Sequence, residues 1–147
     1  MISMQKQIIT LSFLLTIGLL SFGQATSPLV SKCAMSAGAD AKYVKDYRIQ
    51  LGKASAQSDL RYKDNISLWK NTKYRFTLCS TEGSKGQLIF DIKDDANKLI
   101  LSSFDKKTGK TYSSVDFMCQ KSGMYRISYD FTDGQQGSGV GVVSMIK

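Results

Sequence analysis

Phe117-Met118-Cys119-Gln120-Lys121-Ser122-Gly123-Met124-Tyr125-Arg126-Ile127-Ser128-Tyr129-Asp130-Phe131 is the stretch whose reading decides the fold. Tyr125, Ile127, Tyr129 and Phe131 fall on one side of an extended chain, and Arg126, Ser128 and Asp130 on the other. A period of two held over that length marks a strand with one buried and one wet face. Phe117 and Cys119 close another alternating run just upstream, and Ser122-Gly123 reads as a tight turn between the two.

The same period recurs outward in both directions. Tyr47, Ile49 and Leu51 suggest a first strand, and Leu60, Tyr62, Ile66 and Leu68 a second. Tyr74, Phe76 and Leu78 alternate cleanly, as do Leu88, Phe90 and Ile92. Leu99 to Ser103 reads as the hairpin partner of the latter. Val115, Phe117 and Cys119 share a face, and Val140, Val142 and Met145 mark the last strand. Between these runs lie turn-forming residues: Lys70-Asn71-Thr72-Lys73, Asp94-Asp95-Ala96-Asn97, Lys106 to Lys110, and Asp133-Gly134-Gln135-Gln136-Gly137, the last read as a hairpin turn. Parallel pairing needs crossover helices, and no room is left for them. The expected fold is therefore all-β: an antiparallel β-sandwich, jelly-roll or Ig-like, of about seven or eight strands.

The first residues read differently. Lys6 precedes the apolar run Ile8 to Leu20, and Ser21-Phe22-Gly23-Gln24-Ala25 supplies small residues at signal-peptidase spacing. The run is short for a membrane span of about 20 residues, and no cysteine sits at the cleavage position to take a lipid. The expected organisation is a signal peptide over residues 1–25, an N-terminal extension over 26–46, and a sandwich domain over 47–147. Within the extension, Thr26 to Lys32 reads as an exposed leader containing Pro28. Cys33 to Asp46 is a candidate short helix or an extended lead-in. The expected location is accordingly outside the cytoplasm, periplasmic or extracellular.

Composition narrows the chemistry. The formal net charge is +8, with lysines scattered rather than blocked. That favours loose attraction to acidic polysaccharide or a membrane surface over nucleic acid, which calls for a concentrated basic patch with interleaved aromatics. There is no histidine, so Ser-His-Asp and Cys-His catalysis and the usual histidine-bearing zinc sites are absent. Glu82 is the only glutamate, set in a polar loop, and the aspartates fall mostly at turns. A glycosidase pair of carboxylates is not visible. No enzyme activity and no cofactor are expected.

Three cysteines in an exported chain imply one disulfide and one left over. Cys79 and Cys119 both end strong strand patterns, and that pair is the one expected. It would stabilise the fold by roughly 4 kcal/mol on the chain-entropy model and leave Cys33 free or available to a second molecule. Asp91, Asp94, Asp95 and Asn97 crowd one hairpin with oxygen ligands of the kind Ca²⁺ takes. Lys93 breaks the EF-hand spacing, however, and turn formation is the commoner use of these residues. Trp69 follows Leu68 just before a turn, where it either packs over a sheet end, the commoner use, or faces outward, where tryptophan can stack on a sugar or anchor a protein. Tyr43, Tyr47, Tyr62 and Tyr112 could extend that surface, with Tyr62 and Tyr112 the candidates kept, although nothing in the sequence brings them together. Tyr125, two residues after Gly123, reads as a tyrosine whose hydroxyl bonds back to nearby backbone.

Asn71-Thr72-x-Tyr74-x-Phe76, an Asp-containing hairpin, Phe117-x-Cys119 and Gly123-x-Tyr125 together resemble secreted bacterial β-sandwich modules of the pre-peptidase C-terminal and GOLD types. The resemblance spans about Leu60 to Lys147 through short motifs. It implies a sandwich acting as an accessory or binding domain without catalysis, although no enzyme domain accompanies it here. The reading that emerges is a non-enzymatic binding module for an envelope protein or glycan. The alternative is a structural subunit of an envelope assembly joined through Cys33.

Overall fold

The structure, a computed structural model, describes residues 27–55 and 59–147; the signal-peptide reading lies outside them. One helix, α1 (Pro28–Ser36), precedes eight strands. These are β1 (Ala41–Leu51), β2 (Tyr62–Leu68), β3 (Lys73–Ser80), β4 (Leu88–Lys93), β5 (Leu99–Ser102), β6 (Ser114–Met118), β7 (Gly123–Phe131) and β8 (Gly137–Ile146). They form two four-stranded antiparallel sheets, ordered β1-β8-β3-β6 and β2-β7-β4-β5. The expected all-β sandwich is thus the fold found. Only the β4–β5 connection stays within one sheet, and every other connection crosses to the opposite one. That interleaved order is the double Greek key of a jelly roll rather than the Ig arrangement.

The crossing corrects two local readings. The stretch from Phe117 to Phe131 is an arch, since β6 bonds to β3 in one sheet and β7 to β2 and β4 in the other. Likewise the turn at Asp133-Gly134 joins strands of different sheets and makes no hairpin. Its backbone is nevertheless the left-handed pair that an Asp-Gly turn favours, with φ of 57° at Asp133 and 62° at Gly134.

Strand parity sets the core. Tyr74, Phe76 and Leu78 of β3 and Tyr47 and Ile49 of β1 face Phe90 and Ile92 of β4 and Tyr125, Ile127, Tyr129 and Phe131 of β7, all buried. Phe76 stacks on Phe90 with centroids 5.1 Å apart, and Tyr129 meets Tyr47 at 5.4 Å and Tyr62 at 6.0 Å. These rings fit because β8 presents glycines to them. A Cβ at Gly137 would lie 2.6 Å from the Phe131 ring, and one at Gly141 would run into the Tyr129 ring. Val140 and Val142 point the other way, out of the sandwich and under α1. The last strand therefore feeds two cores, with Val140 and Val142 on one side and Met145 on the other.

The N-terminal extension also differs from expectation. Pro28 sits in the first turn of α1, where its fixed φ suits a helix and its missing N–H costs nothing. Gly38, at φ 104°, takes the chain out of the helix into β1. The extension thus does hold a short helix, but it covers most of the supposed leader and only the first four residues of the Cys33 to Asp46 candidate, and the sandwich begins at Ala41 rather than Tyr47. Alternation hid the start of β1 because Val44 lies at a register shift and the strand is an exposed edge.

The disulfide is Cys33–Cys79, with Cα atoms 5.8 Å apart, and Cys119 is a buried free thiol. The Cys79–Cys119 pairing fails on parity. Cys79 lies on the outer side of β3 beneath α1, whereas Cys119 joins the inter-sheet core, its thiol donating to the Lys121 carbonyl oxygen at 3.2 Å. Cys33 is consequently not available to a second molecule.

A peptide map without reduction should link the Cys33 and Cys79 peptides, with Cys119 alkylated only after unfolding; any Cys119-linked peptide refutes the pairing. Replacing both bonded cysteines by serine opens a 46-residue separation and should lower unfolding free energy by about 4 kcal/mol in urea titration. In the same assay, Gly141→Ala should cost roughly 1–3 kcal/mol, since the Tyr129 ring has nowhere to retreat.

Candidate functional site

The two outer faces of the sandwich differ. The face of β1-β8-β3-β6 carries α1, whose Val30 and Cys33 cover Val140 and Val142. Arg75 holds the helix end in place. It donates to the Ala37 carbonyl oxygen at 2.6 Å and makes a two-pronged pair with Asp116 at 2.7 and 2.9 Å. The guanidinium hydrogen bonds draw Asp116 below the usual carboxylate range.

Among the described residues, the face of β2-β7-β4-β5 carries no helix, and a groove of about 730 Å³ opens along it. Ile89, Asp91 and Lys93, the successive outward residues of β4, form its floor. Asp59, Leu60, Thr132 and Asp133 line it on the side toward β7, and Leu99, Ser102, Phe104 and Lys106 on the side of β5 and the loop that follows. Outward residues on a strand repeat about every 6.6 Å, so the floor is a linear track of apolar, acidic and basic groups.

Arg61 builds the wall toward β7. Its guanidinium grips Asp130, a fully buried carboxylate on the outer side of β7, with Nη2 to Oδ1 at 2.9 Å and Nε to Oδ2 at 3.0 Å. The same side chain donates to the carbonyl oxygens of Gly52 at 2.6 Å and Gln135 at 3.2 Å. One arginine thus ties the loop before β2 and the turn before β8 to a single buried charge. Next to it, Asp59 accepts from Lys63 at 2.8 Å and lies 3.8 Å from Lys93. The Lys63 hydrogen bond lowers its pKa, which keeps it an acceptor rather than a proton donor. Among the described residues, no ion pair or side-chain hydrogen bond engages Asp91.

The residues singled out from sequence do not converge. Trp69 is 67% exposed at the turn after β2. Tyr62 is half-buried between the sheets against Tyr47 and Tyr129. Tyr112 lies beyond the far end, with the Lys110 ammonium 4.9 Å over its ring. A shared surface of Trp69, Tyr62 and Tyr112 is therefore corrected: strand parity turns Tyr62 inward, and the length of the sandwich separates the other two. Asp94 accepts from the backbone N–H groups of Ala96 at 3.0 Å and Lys98 at 2.8 Å, and Asn97, at φ 61°, completes that turn. Its carboxylate serves the hairpin, while Asp91 belongs to the groove floor. Among the described residues, no three His, Cys, Asp or Glu side chains gather as metal ligands. Tyr125 does bond its hydroxyl back to the Lys121 carbonyl oxygen. Sequence reasoning missed Phe104 and Lys106, which sit in irregular segments without a periodic signal, and read Leu60 as part of the second strand, whereas β2 begins at Tyr62 and Leu60 lies in the loop before it. The parity of Ile89, Asp91 and Lys93 was available.

No family model matches the chain, and a comparison with curated proteins finds no match.

Arg61→Ala leaves Asp130 buried and unpaired and should cost about 3–5 kcal/mol in urea unfolding. Arg61→Lys should rescue little of it, since an ammonium cannot reproduce the two-pronged grip.

Proposed function

We propose that the protein is an exported, non-catalytic binding module that takes a neutral glycan chain in the groove along β4. The observation that carries this reading is the asymmetry of the faces. One is sealed by α1, the disulfide and Arg75, and the other is bare and furrowed. Concave surfaces that mix apolar walls with a few polar groups are where ligands settle. The linear run of outward residues along β4 suits an extended polymer rather than a compact metabolite.

Its charge selects among polymers. The chain as a whole is +8, yet Asp59, Asp91 and Asp133 outnumber Lys93 and Lys106 in the groove. An acidic polysaccharide would meet three carboxylates there. A neutral sugar chain finds acceptors in the aspartates, donors in the lysines and Ser102, and an aromatic surface in Phe104. The likeness to pre-peptidase C-terminal and GOLD modules belongs to the same proposal, since fold alone carries no function. The alternative of an assembly subunit joined through Cys33 loses its covalent link to the Cys33–Cys79 bond.

A glycan array probed with the purified protein should give hits among neutral oligosaccharides. Asp91→Ala and Phe104→Ala should each weaken the best hit about tenfold, a loss of about 1.4 kcal/mol, while Trp69→Ala leaves it unchanged. Equal binding by both groove variants, or retention only by acidic glycans, would sink the reading.

A further inference from the structure

Three turns meet at one end of the sandwich: those after β2, β4 and β6. Each presents an exposed lysine, with an exposed apolar side chain on it or on a strand end beside it. The first carries Trp69 and Lys70, the second Lys98 with Ile100 of β5 next to it, and the third Lys121, flanked by Met118 at the end of β6 and Met124 at the start of β7. Trp69, Met118 and Met124 are 67%, 48% and 57% exposed. Among the described residues, Lys70, Lys98 and Lys121 enter no ion pair, so their charges face solvent. Acids at this end are Asp94, whose carboxylate is turned into its own loop, the exposed Asp95, and Asp40 and Asp116, both engaged by Arg75.

Two of the turns are locked to each other. The Asn71 N–H donates to the Cys119 carbonyl oxygen at 2.9 Å, the Cys119 N–H to Thr72 at 3.0 Å, and the Lys70 N–H to the Ser122 hydroxyl at 2.7 Å. The Tyr74 hydroxyl accepts the Trp69 N–H at 2.9 Å. Trp69 is therefore a large apolar ring held outward on a fixed backbone, at an entropic cost already met in folding. A core function is excluded by its exposure.

We infer that this end of the sandwich docks on an anionic lipid surface, with Trp69, Ile100, Met118 and Met124 entering the headgroup region and Lys70, Lys98 and Lys121 pairing with lipid phosphates. The pairing of apolar and basic groups at each turn is what such a surface selects. Tryptophan settles at the headgroup level, lysines reach the phosphates while their stems stay among apolar groups, and apolar tips bury only some 5–10 Å deep. A protein partner would favour a continuous flat patch with fewer lysines, a residue type depleted from protein interfaces. Docking by this end leaves the groove on the side of the molecule, open to a ligand in the space above the bilayer.

Trp69 is the sole tryptophan, so its emission reports the event directly. Purified protein is titrated with vesicles of phosphatidylcholine containing about one-third phosphatidylglycerol, and in parallel with pure phosphatidylcholine. A blue shift with the anionic vesicles alone, reversed at 1 M salt where charges are screened beyond about 3 Å, supports the inference. The Lys70→Glu, Lys98→Glu, Lys121→Glu triple variant should fold normally by circular dichroism, since its changes are exposed. It should need at least about tenfold more lipid for the same shift, a change of about 1.4 kcal/mol. Co-sedimentation gives the same reading for Trp69→Ala, which has no emission. Unchanged emission with anionic vesicles, an equal response to neutral ones, or capture of an envelope protein by this end without any lipid response overturns it. Groove binding to glycans is read separately, so either proposal can fail alone.

Discussion

Tyr129 can be buried only because Gly141 lies opposite it. The two sheets of a sandwich sit about 10 Å apart, and a tyrosine standing up from β7 fills that gap unless its counterpart on β8 has no side chain. Gly137 does the same for Phe131. Large rings from one sheet thus lie against bare backbone of the other. The arrangement also fixes parity along β8. With glycines facing inward, Val140 and Val142 must face outward, and an apolar strip on an outer face needs a cover. The helix α1 supplies it, and Cys33–Cys79 and Arg75 hold the cover down. A packing constraint in the centre of the molecule therefore determines which surface is closed.

The opposite surface inherits a different logic. Asp130 is buried on the outer side of β7, away from α1, and Arg61 supplies both the counter-charge and the covering segment. Buried charge pairs add little net stability but exact a heavy cost when broken. They also fix geometry, and here the geometry fixed is one wall of the groove. Asp91, one outward step along β4, has no side-chain partner among the described residues. The open face is thus shaped by polar anchoring, whereas the closed face is shaped by apolar burial.

Much of this was legible in the chain. The alternation of Tyr74-Phe76-Leu78 and of Tyr125 to Phe131 carried the sandwich and most of its core. Parity even held the answer to the disulfide: Cys79 falls out of phase with Tyr74, Phe76 and Leu78, whereas Cys119 is in phase with Val115 and Phe117, so the two point to opposite sides. What alternation could not reveal was which sheet each strand joins. Arches and hairpins share the same turn chemistry, so the turns at Ser122-Gly123 and Asp133-Gly134 read as either. The groove was hidden for a related reason. Ile89, Asp91 and Lys93 are periodic, but Leu60, Phe104 and Lys106 reach them through loops whose paths depend on Arg61 and on the jelly-roll order.

That order carries a consequence for how the chain reaches its fold. β1 is synthesised first and pairs only with β8, the last strand made. Pairings this distant in sequence form slowly, so β1 waits as an open edge while nearly the whole domain is completed. Its sequence suits the wait. Lys42 and Lys45 flank a bulge at Val44, and lysines and bulges are the features that stop an exposed strand from templating a wrong partner. The residues that blurred the strand in the sequence are those that keep it unpaired until β8 arrives.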